Sequence, residues 1–330
     1  MQDNILTVSP SPHLKAKKST RFIMGNVCIA LLPASIMGIV YFGLSALLLI
    51  AVSVASAVLS EFVYELIVGK KFKTIIKNFD FTSVVTGLLI ALTLGTNYPV
   101  YAPIIGSVFA IIVVKMLFGG TGNNVVNPAI AGRIFIFISF QSVVGAWLSP
   151  SIGSLIGATP TTGATELAGM LESGNLSSLS IVDLLLGTGL TGCIGETCKI
   201  ALLVGAVYLA CLKIIDIQYP IIYIVVTGLV AVAIAGFDFA VFLPYVLSGG
   251  LFIGAFFMAT DYTTTPNTKL GNYIYFIALG VLTAVLRWAT KMEVISFAIL
   301  LMNITVPLFD KFIIPKPFGY RKNKPKGDTK

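Results

Sequence analysis

Histidine is almost missing from this chain, a single His13 near the N-terminus. No nucleophile, base and carboxylate set can be built around it in a pocket, which excludes hydrolysis of the Ser-His-Asp kind. Charge is also scarce, at 11% of residues, where a soluble domain carries about 25%. Its absence is concentrated: there is no charged residue from Ile134 to Thr165, and no Lys or Arg from Ile134 to Cys198. That stretch lies on the side of something that basic residues avoid. A hydrophobic content of 56% and a mean hydropathy of +0.94 identify it as a membrane. Closely spaced thiolates are missing too. Cys28, Cys193, Cys198 and Cys211 include no Cys-x-x-Cys, so no zinc or iron-sulfur site is indicated, and they read as small membrane-packing residues.

What is present is apolar sequence, 330 residues of it. A spanning helix takes roughly 20 apolar residues, because backbone amides in hydrocarbon must be bonded within the segment. The expected fold is therefore an all-α polytopic membrane protein of about ten transmembrane helices with broken or re-entrant segments. The spans are expected near 22–42, 44–68, 81–94, 100–118, 134–147, 199–212, 221–235, 241–258, 273–288 and 294–308. A tail (1–21), a first five-helix half (22–147), a long loop (148–180), a second five-helix half (181–310) and a basic tail (311–330) follow. Five spans before the loop and five after it make the halves enter from opposite sides, the arithmetic of an inverted repeat. Of 22 Lys and Arg, this topology leaves Lys199, Arg287 and Lys291 on or near the outer side. Both tails are then cytoplasmic and the long loop is outside. The charge of +8 belongs to tails and short loops, so it sets orientation and gives no reason to expect nucleic acid.

Polar stretches interrupt this plan in four places. The first is Gly119-Gly120-Thr121-Gly122-Asn123-Asn124 followed by Asn127-Pro128 and Arg133, which reads either as an ordinary turn with a snorkelling Arg or as a broken helix facing a cavity. Pro128 is expected to interrupt a helix start, and Arg133 is an intramembrane charge with a functional reading. The second, Gly187 to Thr197, is too rich in Gly for a plain helix and is expected to dip into the membrane, with Glu196 either on the outer surface or buried. The third, Asp261 to Lys269 with Thr263 and Thr264, returns to the cytoplasm after a span that contains Pro244 and Gly249-Gly250, and Asp238 marks an outer turn. The fourth is Pro160-Thr161-Thr162-Gly163-Ala164-Thr165-Glu166. On its residues alone it is a polar loop opening a helix; the alternative is that a Thr hydroxyl is a covalent attachment point.

Thr162-Gly163-Ala164-Thr165, in a long loop between spans, resembles the flavinylation motif of the family that contains the D-type membrane component of the Rnf complex and the B-type component of the sodium-pumping quinone reductase. Val8 to His13, Phe118 to Gly132, Gly192 to Thr197 and Phe257 to Asp261 resemble further signatures of that family, and the likeness covers nearly the whole chain. The compact length is nearer to the Rnf component. The resemblance implies FMN joined by a phosphoester to Thr165, with Thr162, Gly163 and Ala164 presenting it to a flavin transferase. It also implies a noncovalent riboflavin or FMN, expected around Asn123, Asn124, Asn127, Asp261, Thr263 and Thr264. The implied work is electron transfer inside an ion-translocating ferredoxin:NAD oxidoreductase of the bacterial inner membrane. Other Rnf subunits are then partners, ferredoxin and NAD act through them, and the chain is not catalytic by itself. Arg133, Glu196 and Asp238 are the expected ion-route residues. The competing reading is a cofactor-free channel or secondary transporter with inverted repeats.

Overall fold

The computed structural model describes residues 19–140, 147–148, 162–163, 181–187 and 191–314. Ser19 opens the first helix, its hydroxyl accepting the Phe22 amide at 3.2 Å. Helix α1 (Thr20–Phe42) runs to Gly43, whose φ of 70° turns the chain at once into α2 (Leu44–Ile67). A short helix, α3 (Phe72–Asn78), then meets α4 (Thr82–Leu92) at a bend of 67°. Helix α5 (Tyr101–Val108) passes directly into a π-helical segment, Phe109–Met116. Helix α6 (Pro128–Ser139) ends the first half.

The second half begins with α7 (Ile181–Leu186), α8 (Lys199–Cys211) and α9 (Gln218–Ile234). A 3-10 turn, Phe239–Val241, leads into α10 (Phe242–Leu247), and α11 (Leu251–Ile253) runs on as π-helical Gly254–Met258 after a bend of 72°. Helices α12 (Lys269–Thr290) and α13 (Ile295–Phe312) close the chain. Four helices are long and apolar enough to cross a membrane, two bent pairs do so jointly, and four shorter helices are apolar. These ten segments make the chain a polytopic membrane protein. Ile29, Leu32, Ile36 and Val40 along α1 illustrate the outer surface, exposed apolar side chains of the kind that face lipid.

The halves repeat one another with inverted direction. Within the first, α2 packs on α4 and α5, and the π segment after α5 packs on α6; within the second, α9 packs on α10 and α12, and α12 on α13. Two contacts join equivalent members, α1 with α8 and α6 with α13. The third segment of each half is the bent one. The fourth carries a basic residue in its last turn, Lys115 in one half and Arg287 in the other.

The bundle therefore has a lysine-rich end, formed by residues 68–81, 117–127, 212–217 and 259–268, and an opposite end, formed by 93–100, 191–198, 235–238 and 291–294. One expectation is corrected and another sharpened. Pro128 does not interrupt a helix but starts α6 at its first position, where its missing N–H costs nothing, and Asn127 caps it by accepting the Ala129 amide at 3.0 Å. Lys199 and Arg287, expected on or near the outer side, do lie toward that end but are 2% and 0% exposed, enclosed by the Glu196 carbonyl in one case and by Glu293 with the Tyr245 and Ser248 carbonyls in the other.

Candidate functional site

Thr162 and Gly163 form an antiparallel pair with Leu148 and Trp147, Trp147 opposite Gly163 and Leu148 opposite Thr162. The backbone at the start of the motif is thus extended and fastened to the chain just beyond the fifth span. Ala164 and Thr165 lie outside the described residues.

At the lysine-rich end, Asn124, Asn127, Asp261 and Thr263 come together around a cavity of about 100 Å³, although more than 130 residues separate the asparagines from the acid and threonine. Tyr262, between the expected Asp261 and Thr263, lines it too, as do Thr82, Lys115 and Thr121, which sequence reasoning did not single out. Asn127 holds the two loops in register: beside capping α6, its amide donates to the Met258 carbonyl at 3.2 Å, at the end of the π segment. Asn303, 1% exposed on α13, ties them from behind. In the orientation that satisfies both ends of its amide, it donates to the Thr264 carbonyl and accepts from the Asn127 amide, each at 3.2 Å. A lone Asn inside an apolar run was the available signal for it. Asn124 keeps a buried Oδ1 with no hydrogen-bond partner among the described residues. Asn123 and Thr264 do not line the cavity: Asn123 donates to Gly119 in an exposed turn, and Thr264 is packed with its hydroxyl 3.4 Å from Asp261.

Two carboxylates at this end are held in contrasting ways. Asp261 accepts the Thr263 hydroxyl at 3.0 Å, and burial, outweighing that bond and those from neighbouring amides, pushes its pKa up. Burial acts upward on Asp80 as well, but the Thr82 hydroxyl and amide, the Lys115 charge and the Thr121 hydroxyl together bring its carboxyl below the ordinary value. Lys115 in turn donates to Glu61 at 2.6 Å and to the Thr82 hydroxyl, so the π end of α5 is docked on the bend between α3 and α4.

Toward the opposite end Arg133, midway along α6, and Glu196 are both buried, with Cys193 next to each. Arg133 donates to the Ser296 hydroxyl at 2.9 Å and approaches Cys193 Sγ at 3.9 Å. The described part of the Gly-rich segment, residues 191–197, does enter the bundle, as a turn and not a helix: the Ile194 and Gly195 amides donate to the Leu94 and Leu92 carbonyls at 3.0 and 2.7 Å. A Cβ at Gly195 would stand 2.7 Å from that of Leu92, which is why glycine is needed for this approach. Glu196 is thereby fixed in the interior, 6% exposed, with Lys199 donating to its carbonyl. Arg287 pairs with Glu293 at 2.8 Å and donates to the Tyr245 and Ser248 carbonyls at the break of the eighth segment. Asp238 is at the surface of the same end, apart from this buried group, exposed and accepting the Ala240 amide to cap the 3-10 turn. Among the described residues no group of His, Cys, Asp and Glu is placed to hold a metal ion.

A ten-segment bundle with two broken segments, buried ion pairs at both breaks and polar cavities inside belongs to the class of polytopic membrane proteins built on an inverted repeat. Comparison with known sequences narrows the class. The profile of the NQR2, RnfD, RnfE family matches residues 7–319, and the chain belongs to that family. It is 42% identical to the D-type subunit of the Na(+)-translocating ferredoxin:NAD(+) oxidoreductase complex of Acetobacterium woodii, over 98% of each chain. It is 36% identical to the proton-translocating counterpart of Clostridium ljungdahlii, again over 98% of each. With the D-type subunit of the ion-translocating oxidoreductase complex of Stutzerimonas stutzeri the identity is 32%, over 92% of this chain and 93% of the relative.

Proposed function

We propose that this chain is the D-type membrane subunit of an ion-translocating ferredoxin:NAD oxidoreductase complex, carrying FMN on Thr165. The observation that supports it most strongly is the end-to-end likeness to subunits of that type, at 42% identity over 98% of the chain. The flavin would supply one-electron transfer between donors and acceptors on other subunits. The residues present suit it: Thr165 offers the hydroxyl for the phosphoester, Gly163 and Ala164 leave it accessible to a flavin transferase, and Thr162–Gly163 at the start of the motif pair with Leu148–Trp147. The lysine-rich end and both tails face the cytoplasm of a bacterial inner membrane, and the motif faces outward.

For a second, noncovalent flavin the fit is partial. Asn124 Oδ1, buried with no partner among the described residues, suits an imide N–H, but a space of about 100 Å³ is well under the ~300 Å³ of a cofactor pocket. No step is therefore derived through it. For the ion route, Arg133 and Glu196 are retained, and Glu293 joins them as a buried carboxylate of the same end. Asp238 serves as a cap.

The chain made together with its flavin transferase should give a band that fluoresces under ultraviolet light on a denaturing gel, kept in Thr162→Val and lost in Thr165→Val. A dark wild-type band whose loop peptide also lacks the FMN mass would sink the proposal. The paired breaks also suit a cofactor-free carrier. Ion transport by the purified chain alone in liposomes, without flavin absorption, would favour that reading.

A further inference from the structure

Helix α3 lies across the lysine-rich end, at 67° to the helix it precedes. Phe72 and Ile76 point away from the protein, 57% and 55% exposed, while Ile75 is buried against it. Lys73 and Lys77, four apart, share one side of the helix, Lys70 and Lys71 immediately precede it, and no acidic residue falls between Lys70 and Asn78. Such a segment lies in the membrane interface, its apolar side chains among acyl chains and its amines among head groups. Lys70 is paired with Glu65 at 2.6 Å; Lys71, Lys73 and Lys77 are exposed and form no ion pair among the described residues.

Behind α3 opens a groove of about 910 Å³, walled by Val58, Phe62, Ile75, Phe79 and Met116. The acidic groups facing it are engaged: Glu61 takes Lys115, Glu65 takes Lys70, and Asp80 takes the hydroxyls of Thr82 and Thr121. Arg21, at the rim, donates to the Phe79 and Lys77 carbonyls and forms no ion pair among the described residues. Uncompensated positive charge therefore borders an apolar groove at head-group level. Glu61 Oε2, on the groove wall, is buried with no partner among the described residues and suits a head-group hydroxyl as donor.

We propose that this groove and the α3 lysines form a binding site for an anionic phospholipid, with an acyl chain in the groove and the phosphate among Lys71, Lys73 and Lys77. The test uses the full chain in liposomes, with Trp147→Phe and Trp288→Phe leaving the indole of Phe72→Trp as sole reporter. Brominated phosphatidylglycerol should quench it about fivefold more effectively than brominated phosphatidylcholine, the scale of one lysine acting at a charged surface. The preference should fall toward parity in Lys71→Gln/Lys73→Gln/Lys77→Gln, and weaken in Val58→Phe, which fills the groove without changing charge. Trp288 alone, at the opposite end, should show no preference. Equal quenching of the Phe72→Trp indole by both lipids, or a preference that survives the lysine substitutions, would overturn the proposal.

Discussion

Asp80 and Asp261 stand at the same end of the bundle and respond oppositely to burial, because Asp80 has a lysine and two threonine hydroxyls to answer it and Asp261 has threonines and amides only. A carboxylate held below its ordinary pKa contributes stability that is present above the unfolded value, about 3.9, and lost as pH falls through the folded one. A raised carboxyl works the other way, with its contribution complete below the unfolded value and lost as pH rises through the folded one. Asp80→Asn should therefore lower the thermal midpoint at pH 7 and have little effect under strongly acidic conditions. Asp261→Asn should be neutral or stabilising at pH 7, since an asparagine oxygen still accepts from Thr263. Midpoints from scanning fluorimetry between about pH 2 and pH 8 in detergent check both signs. A second residue-scale prediction concerns Glu293, whose loss leaves Arg287, fully buried, with carbonyls alone. Breaking a buried pair on one side costs about 3–5 kcal/mol, so Glu293→Gln should shift an SDS-titration midpoint strongly. Arg287→Met combined with Glu293→Gln should recover part of the loss.

At the scale of elements, the breaks matter more than the spans. Gly249 sits in the break of the eighth segment with φ at 67°, and a Cβ there would fall 1.8 Å from Glu293 Oε2; Gly236 has φ at 78° but open space around it. Both substitutions to alanine carry the left-handed backbone cost of about 1–2 kcal/mol, and only Gly249→Ala also displaces the Arg287 pair. Folded yield by fluorescence-detected gel filtration should fall much further for Gly249→Ala than for Gly236→Ala. The spans themselves were legible from apolar runs, with the second expected at 44–68 and found at Leu44–Ile67. The interior of the sites was not. Arg287 and Lys199 come at the ends of apolar runs, where a charge reads as the start of a loop, and only the return of residues 291–294 over the helix end encloses Arg287. Helix α3 was legible in principle, since Phe72, Ile75 and Ile76 against Lys73 and Lys77 follow helical spacing, but its lysines alone satisfied the orientation argument. The meeting of Asn127 with Met258 joins loops 131 residues apart, which no local pattern reports.

For the whole molecule, the inverted repeat has a residue-level signature that a search for sequence repeats passes over. Lys115 and Arg287 differ in type and neighbours, yet each ends the fourth segment of its half and reaches the break of the third, Lys115 through Thr82 and Arg287 through the Tyr245 and Ser248 carbonyls. Since the halves are inverted, one dock lies at each end of the bundle. This placement also sharpens orientation. With Lys199 and Arg287 inside the protein, the described basic surface residues are Arg21, Lys70, Lys71, Lys73, Lys77, Lys213, Lys269 and Lys311 at one end, against Lys291 at the other. Flanking basic residues are retained in the cytoplasm, so the asymmetry predicts which end faces which compartment. Asp238 and Lys73, both exposed and at opposite ends, allow a direct check. In a background without the four native cysteines, Asp238→Cys should react with a membrane-impermeant maleimide in intact cells whose outer membrane has been opened. Lys73→Cys should react only after the inner membrane is permeabilised. Labelling in the reverse order would turn the bundle over and carry the Thr162–Gly163 pairing, fastened beyond the fifth span, to the cytoplasmic side with it.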